Sequence, residues 1–195
     1  MRLDRGSDAC KGIVAQYLLN PRGEADGLFL IDGTQIHFPP HMSSELVRVI
    51  KAGDRVTAMG IRQNSKVFTA WQIIGDKNKN AVVDAGPSHP AGPPPPVIVL
   101  KAMQAQARVK AFLYGPKGDV NGFLLLDQTI VRMPPETAFS FSNVFQPGQI
   151  MSVRGNGSES SLGRCIEATS IGTDDQPMIS IYDTDFARSS PPRRP

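Results

Sequence analysis

Two cysteines and three histidines are all that the 195 residues offer of the side chains that most often build disulfides or hold metals. Cys10 and Cys165 stand at opposite ends of the chain with no C-x-x-C spacing, which excludes a zinc ribbon and a disulfide scaffold. Long apolar runs are missing too, since none approaches the ~18 residues that a membrane span needs. The opening Met1-Arg2-Leu3-Asp4-Arg5-Gly6 has no apolar segment behind it to make a secretory signal. The expectation is a cytoplasmic protein without membrane contact. The sequence also has no Gly-rich phosphate loop, no G-x-S-x-G elbow and no H-E-x-x-H, and Gly115-Pro116-Lys117-Gly118 lacks P-loop spacing. No catalytic residue, no cofactor and no enzymatic role is expected.

Net charge is scarce as well. The formal value is +3, and Arg188, Arg193 and Arg194 near the C-terminus account for all of it. The rest of the chain is neutral overall, so bulk charge does not select a polyanion partner, whereas a local basic patch still would.

Glycine and proline, by contrast, are plentiful, at 18 and 17 residues, and this suits short strands separated by many turns. They also reveal a repeat. Shifted by 95 positions, Gly12 to Gly60 aligns without a gap on Ala107 to Gly155. Pro21, Gly23, Gly27, Asp32, Thr34, Pro39, Pro40, Gly53 and Gly60 recur as Pro116, Gly118, Gly122, Asp127, Thr129, Pro134, Pro135, Gly148 and Gly155. What recurs is backbone geometry. Between the copies, Ala85 to Pro96 is rich in Pro and Gly and reads as an extended spacer. The division is a first barrel at 10–75, a linker at 76–104, a second barrel at 105–172 and a disordered tail at 173–195.

Within one copy, Lys11 to Leu19, Leu28 to Ile31 and Thr34 to Phe38 read as strands, with Asp32-Gly33 as the hairpin turn and Pro39-Pro40 as the stop. Met42 to Ile50 reads as an amphipathic helix with a serine cap and with Met42, Leu46, Val49 and Ile50 on its apolar stripe; Phe141, Val144 and Phe145 keep that stripe in the second copy. Gly53 and Gly148 read as the residues that end the two helices. Strands at Asp54 to Met59 and Val67 to Ile74 complete the copy. Three strands, a helix and two strands is the order of the oligonucleotide/oligosaccharide-binding (OB) barrel. The fold class is therefore all-β, with tandem OB-like five-stranded barrels, each carrying one short α-helix between its third and fourth strands.

The block Leu18 to Leu28 and the block Asp32 to His41 resemble uncharacterised bacterial proteins of the OB-like class, across both repeats but not the linker or tail. Each copy carries a P-x-G-x-x-x-G loop, a D-x-T turn and a P-P strand end. The resemblance implies the fold and nucleic-acid binding, and it transfers no catalytic residues. The second copy departs from it with Gln128 for Gly33, Arg132 for His37 and Glu136 for His41.

The candidate site lies in the second copy. If side chains alternate along a strand, Arg108, Lys110, Phe112 and Tyr114 share an outer face while Val109, Ala111 and Leu113 enter the core. Cations that follow phosphates and aromatics that stack on bases are what holds a single strand. The bland alternative is an amphipathic strand whose aromatics pack on a neighbour. The matching face of the first copy, Ile13, Ala15, Tyr17 and Leu19, has no cation and suits a protein contact. Arg22 and Lys117, in the loops after the first strand of each copy, read as phosphate contacts or as solvated turn charges. Arg132 and His37, on the third strands, read as groove residues, with an ordinary polar-face residue as the alternative for His37. A metal site at His37 and His41 is not expected, because a third ligand is missing and the second copy has neither histidine. The expected partner is single-stranded DNA or RNA, bound weakly and with little sequence preference. The alternative is a scaffold module that docks a protein or a second copy of the chain through the first barrel and the Pro-rich linker.

Overall fold

The computed structural model describes residues 8–77, 79–86, 99–142, 144–174 and 176–182. The chain divides into two compact units, each built on a closed five-stranded barrel.

In the first unit, β1 (Asp8–Leu19), β2 (Ala25–Leu30), β3 (Gln35–His37), β4 (Arg55–Arg62) and β5 (Val67–Gly75) lie in the order β3-β2-β1-β4-β5. The neighbours are antiparallel except β3 and β5, which pair in parallel from Gln35↔Val67 to His37↔Thr69 and close the sheet on itself. A short 3-10 turn, Pro40–Met42, and the helix α1 (Ser43–Val49) stand between β3 and β4. This is the OB order. β1 serves two neighbours, pairing with β4 through Asp8 to Ile13 and with β2 from Val14 onward, and its ladder is irregular between Val14 and Gln16 where it changes partner. Val14, Leu18, Leu28, Leu30, Ile36, Phe68 and, from the helix, Leu46 are fully buried. A further strand, β6 (Ala81–Val83), pairs with β5.

The second unit repeats this plan with β7 (Lys101–Tyr114), β8 (Val120–Leu125), β9 (Ile130–Arg132), α2 (Pro135–Ser140), β10 (Ile150–Ser160) and β11 (Gly163–Thr173). The parallel pair β9–β11 closes it, and β12 (Gln176–Ser180) is added beside β11. Val109, Phe123, Val131, Phe141, Phe145, Met151 and Ile166 form its core. Ladder pairs recur 95 positions apart, as in Asp8↔Gly60 and Met103↔Gly155. Gly60 and Gly155 recur because each sits at an irregularity where the next strand comes too close for a side chain. A Cβ would stand 2.0 Å from the Thr69 carbonyl oxygen at Gly60 and 1.9 Å from that of Glu167 at Gly155.

Several expectations are corrected at the level of local structure. The N-cap of α1 is Met42, with no side-chain cap bond, because the 3-10 turn already supplies the preceding turn of backbone. The helix ends in extended Ile50, before Gly53. Gly53 (φ +89°) and Gly148 (φ +91°) instead turn the chain into the next strand, their N–H groups donating to Val14 O and Val109 O at 2.8 Å. In the second copy α2 stops at Ser140, so Phe141 and Phe145 reach the core from the turns that follow it. β6 and the start of β7 fall within the segment read as linker, and β12 falls within the segment read as tail. The proline run 93–96, His89 and the arginines of the tail lie outside the described residues. Among the described residues, no helix is long and apolar enough to cross a membrane.

Candidate nucleic-acid interface

Strict alternation along β7 would put Arg108, Lys110, Phe112 and Tyr114 on one face, but the ladder to β8 is irregular between Val109 and Ala111 and again between Leu113 and Tyr114. Each such bulge inserts a residue and re-aims the side chains after it. Arg108 is exposed, with Nη1 donating to Gly148 O at 2.7 Å, and Lys110 is exposed at the first irregularity. Phe112 is turned inward. It packs on the core edge-to-face with Phe145, at 5.8 Å between centroids and 71° between planes, and is left half-buried. Tyr114 is half-buried at the end of the strand. Arg108 and Lys110 thus stay exposed while the two aromatics of the expected face are partly covered.

The other candidates are scattered. Arg132 is 7% exposed on β9, and its Nη1 donates to Asn121 Oδ1 at 2.9 Å, so it tethers two strands and does not line an open groove. His37 is 5% exposed on β3. His41, four residues on, pairs instead with Asp84 just past β6, Nε2 to Oδ1 at 2.7 Å. Arg22 and Lys117 are exposed in the loops after β1 and β7. On the first copy, Tyr17 and Leu19 are buried and not outward, again because β1 is irregular around them. Both thiols are buried, and burial pushes the Cys10 thiol up, away from a reactive thiolate.

What the second barrel does bring together is a polar trough across the β7–β10 ladder. Gln104 and Arg154 are opposite one another in that ladder, and both border two open clefts of about 500 Å³ and 460 Å³. The larger is walled by Gln104 and Gln106 from β7, Arg154 from β10, Arg164 from β11, Asp127 from the β8–β9 hairpin and Met178 from β12. Arg164 donates from Nη2 to Gln104 O at 2.6 Å. Arg154 is exposed, and among the described residues its guanidinium has neither a hydrogen bond nor an ion pair. The corresponding ladder pair of the first copy is Ala9↔Met59. The repeat thus places a neutral pair in one barrel where the other has an amide and a cation.

Sequence reasoning missed Gln104, Arg154 and Arg164. Gln104 fell within the segment assigned to the linker, yet a signal was there: Met103, Ala105 and Ala107 alternate with Gln104, Gln106 and Arg108, a period of two that already runs through that segment.

No protein family profile matches the chain, and no curated protein matches it. Among solved structures it is similar to the wild-type single-stranded DNA-binding protein of Thermus aquaticus, with a TM-score of 0.29 and 13% identity over 88% of this chain and 93% of that one. A deletion mutant of the same protein gives a TM-score of 0.28 and 12% identity over 96% and 97%. Superposition that loose decides neither ligand nor role.

Proposed function

We infer that the chain is a non-enzymatic binding protein whose second barrel holds single-stranded nucleic acid, weakly and with little sequence preference. The observation that carries the reading is the trough at Gln104 and Arg154, where an unpaired guanidinium stands beside amide side chains and both residues border two open clefts. A cation left without a protein partner is available to a phosphate, and amides can follow bases or sugars without demanding one sequence. Arg108 and Lys110 on β7 add exposed positive charge on the strand that carries Gln104. Lys117 and Arg22 remain candidates for further phosphate contacts from their loops. The neutral Ala9 and Met59 support a different role for the first barrel, in which it is a structural or protein-contact copy.

Fluorescence anisotropy of a labelled mixed-sequence single strand, titrated at low and near-physiological salt, tests the reading. Binding that weakens steeply with salt reports released counterions. Its loss in Arg154→Ala but not in Met59→Ala supports the assignment to the second barrel. No binding even at low salt overturns the reading in favour of a protein-interaction module.

A further inference from the structure

We propose that the larger cleft of the second barrel is a pocket for one whole nucleotide, with the phosphate at Arg154 and Arg164 and the base against Met178. This rests on the nucleic-acid reading above and adds the size and chemistry of what enters.

The volume, about 500 Å³, suits a single small ligand and is far too little for a folded partner. Arg164 is only part-used. Its Nη2 is fixed on Gln104 O, while its Nε is buried and has no hydrogen-bond partner. Natural interiors rarely leave such a donor unmet, and an acceptor entering the cleft gives the guanidinium a partner after a small side-chain rotation. The lining also has an apolar part, from Ala105, Val153 and Met178. Met178 belongs to β12, the strand added to the five of the barrel, and it lies close against β11 because residue 172 is glycine: a Cβ there would stand 3.1 Å from Met178 Sδ. An unbranched thioether offers a soft, polarisable surface to a ring.

The Gln104 and Gln106 amides and the Asp127 carboxylate also line the cleft and supply donors and acceptors for a base edge, although Gln106 Nε2 already donates to Asp174 Oδ1 at 3.5 Å. Asp127 also disfavours a bare polyanion, so the cleft suits a ligand with one phosphate and a neutral polar ring better than it suits free phosphate. The hairpin that brings Asp127 to the cleft is strained. Gln128 adopts φ +70° where the first copy has Gly33 at φ +85°. Strain of this kind tends to persist at binding sites. The first copy has Ala9 and Met59 at the positions of Gln104 and Arg154, so it lacks that amide and that cation.

The test is competition against a short labelled single strand bound to the full chain, with dAMP, dCMP, the two nucleosides and inorganic phosphate as competitors. A mononucleotide that displaces the strand at about a tenth of the concentration needed for either of its parts supports the pocket. Arg164→Gln is expected to weaken both strand and mononucleotide about tenfold, and Met178→Ala, outside the barrel ladders, to weaken them severalfold while melting as the wild type does. Equal displacement by phosphate and mononucleotide, or unchanged binding in both variants while the strand still binds, overturns the pocket and leaves the broader reading standing. A strand that does not bind the wild type at all overturns that reading instead, and the pocket with it.

Discussion

Tyr17 donates its hydroxyl to the Ile50 carbonyl at 2.5 Å, and 95 positions later Phe112 meets Phe145 edge-to-face at the equivalent place. In each barrel an aromatic of the first strand clasps a residue C-terminal to the helix, once through a hydrogen bond and once through ring contact. Phe112 thus belongs to the fastening of the second barrel. Phe112→Ala is expected to destabilise that unit by ~2 kcal/mol, less than a fully enclosed phenylalanine because the ring is only half-buried. Oligonucleotide affinity of the folded protein should hardly change. Denaturant unfolding alongside anisotropy separates the two effects, and a loss of affinity without a loss of stability would return Phe112 to the ligand face.

The same clasp makes a pH prediction in the first unit. Burial raises the Tyr17 hydroxyl above its ordinary value near 10, and the neighbouring Asp54 carboxylate adds to the shift. A raised folded-state value means that the neutral form is favoured in the fold, so its stabilisation is complete below about pH 10 and is lost as the pH climbs through the folded value. Thermal melts between neutral pH and strong alkali should show this loss, and Tyr17→Phe should flatten it. The variant also leaves Ile50 O without its donor, at a cost of about 1 kcal/mol at neutral pH.

The hairpins of the two copies match bond for bond. Gly33 N donates to Leu30 O at 2.9 Å and Gln128 N to Leu125 O at 3.0 Å, while Asp32 and Asp127 each accept from the backbone N–H two residues on. Apart from Ile31 against Leu126, the difference is the residue at positive φ, Gly33 against Gln128. Gln128→Gly is therefore expected to stabilise the second unit by about 0.5–1 kcal/mol, and Gly33→Gln to destabilise the first by a similar amount. Opposite shifts in two melting curves are the signature, and shifts of the same sign would break the equivalence.

Much of this architecture was legible in the repeat, because Gly53, Gly60, Gly148 and Gly155 mark places where only the backbone matters. Strand order, the position of the helix and barrel closure followed from such punctuation. The site was not legible in the same way. A bulge at Lys110 depends on the register with β8, which no period in β7 alone reveals, so Phe112 read as outward when it is inward. Arg132 and His37 looked like groove residues because strand polarity says nothing about what covers a third strand. Gln104 was hidden by proximity to prolines, although its strand begins at Lys101.

Gly155 offers a direct check on why glycine recurs. A Cβ 1.9 Å from Glu167 O cannot be accommodated without parting β10 from β11, and Gly60 faces the same limit against Thr69 O at 2.0 Å. Either alanine variant is expected to cost ~3 kcal/mol or more. Hydrogen exchange should lose protection along the affected ladder while the other unit keeps its own. Protected amides on both sides of Gly155 in the variant would show that the bulge relaxes more cheaply than its geometry implies.

The role of the trough can be separated from general basicity by the salt dependence of binding. If Arg154 touches a phosphate, Arg154→Ala removes one released counterion and lowers the slope of log affinity against log salt by about 0.7 on a single strand. Gln104, its ladder neighbour, is neutral. Gln104→Ala should weaken binding at every salt concentration and leave the slope as it was, because an amide contact displaces no ion. A slope altered equally by both variants would mean that the trough collapses when either side chain is removed. A slope altered by neither would place the phosphates on Arg108, Lys110 or Lys117, where the same substitution then becomes the measurement.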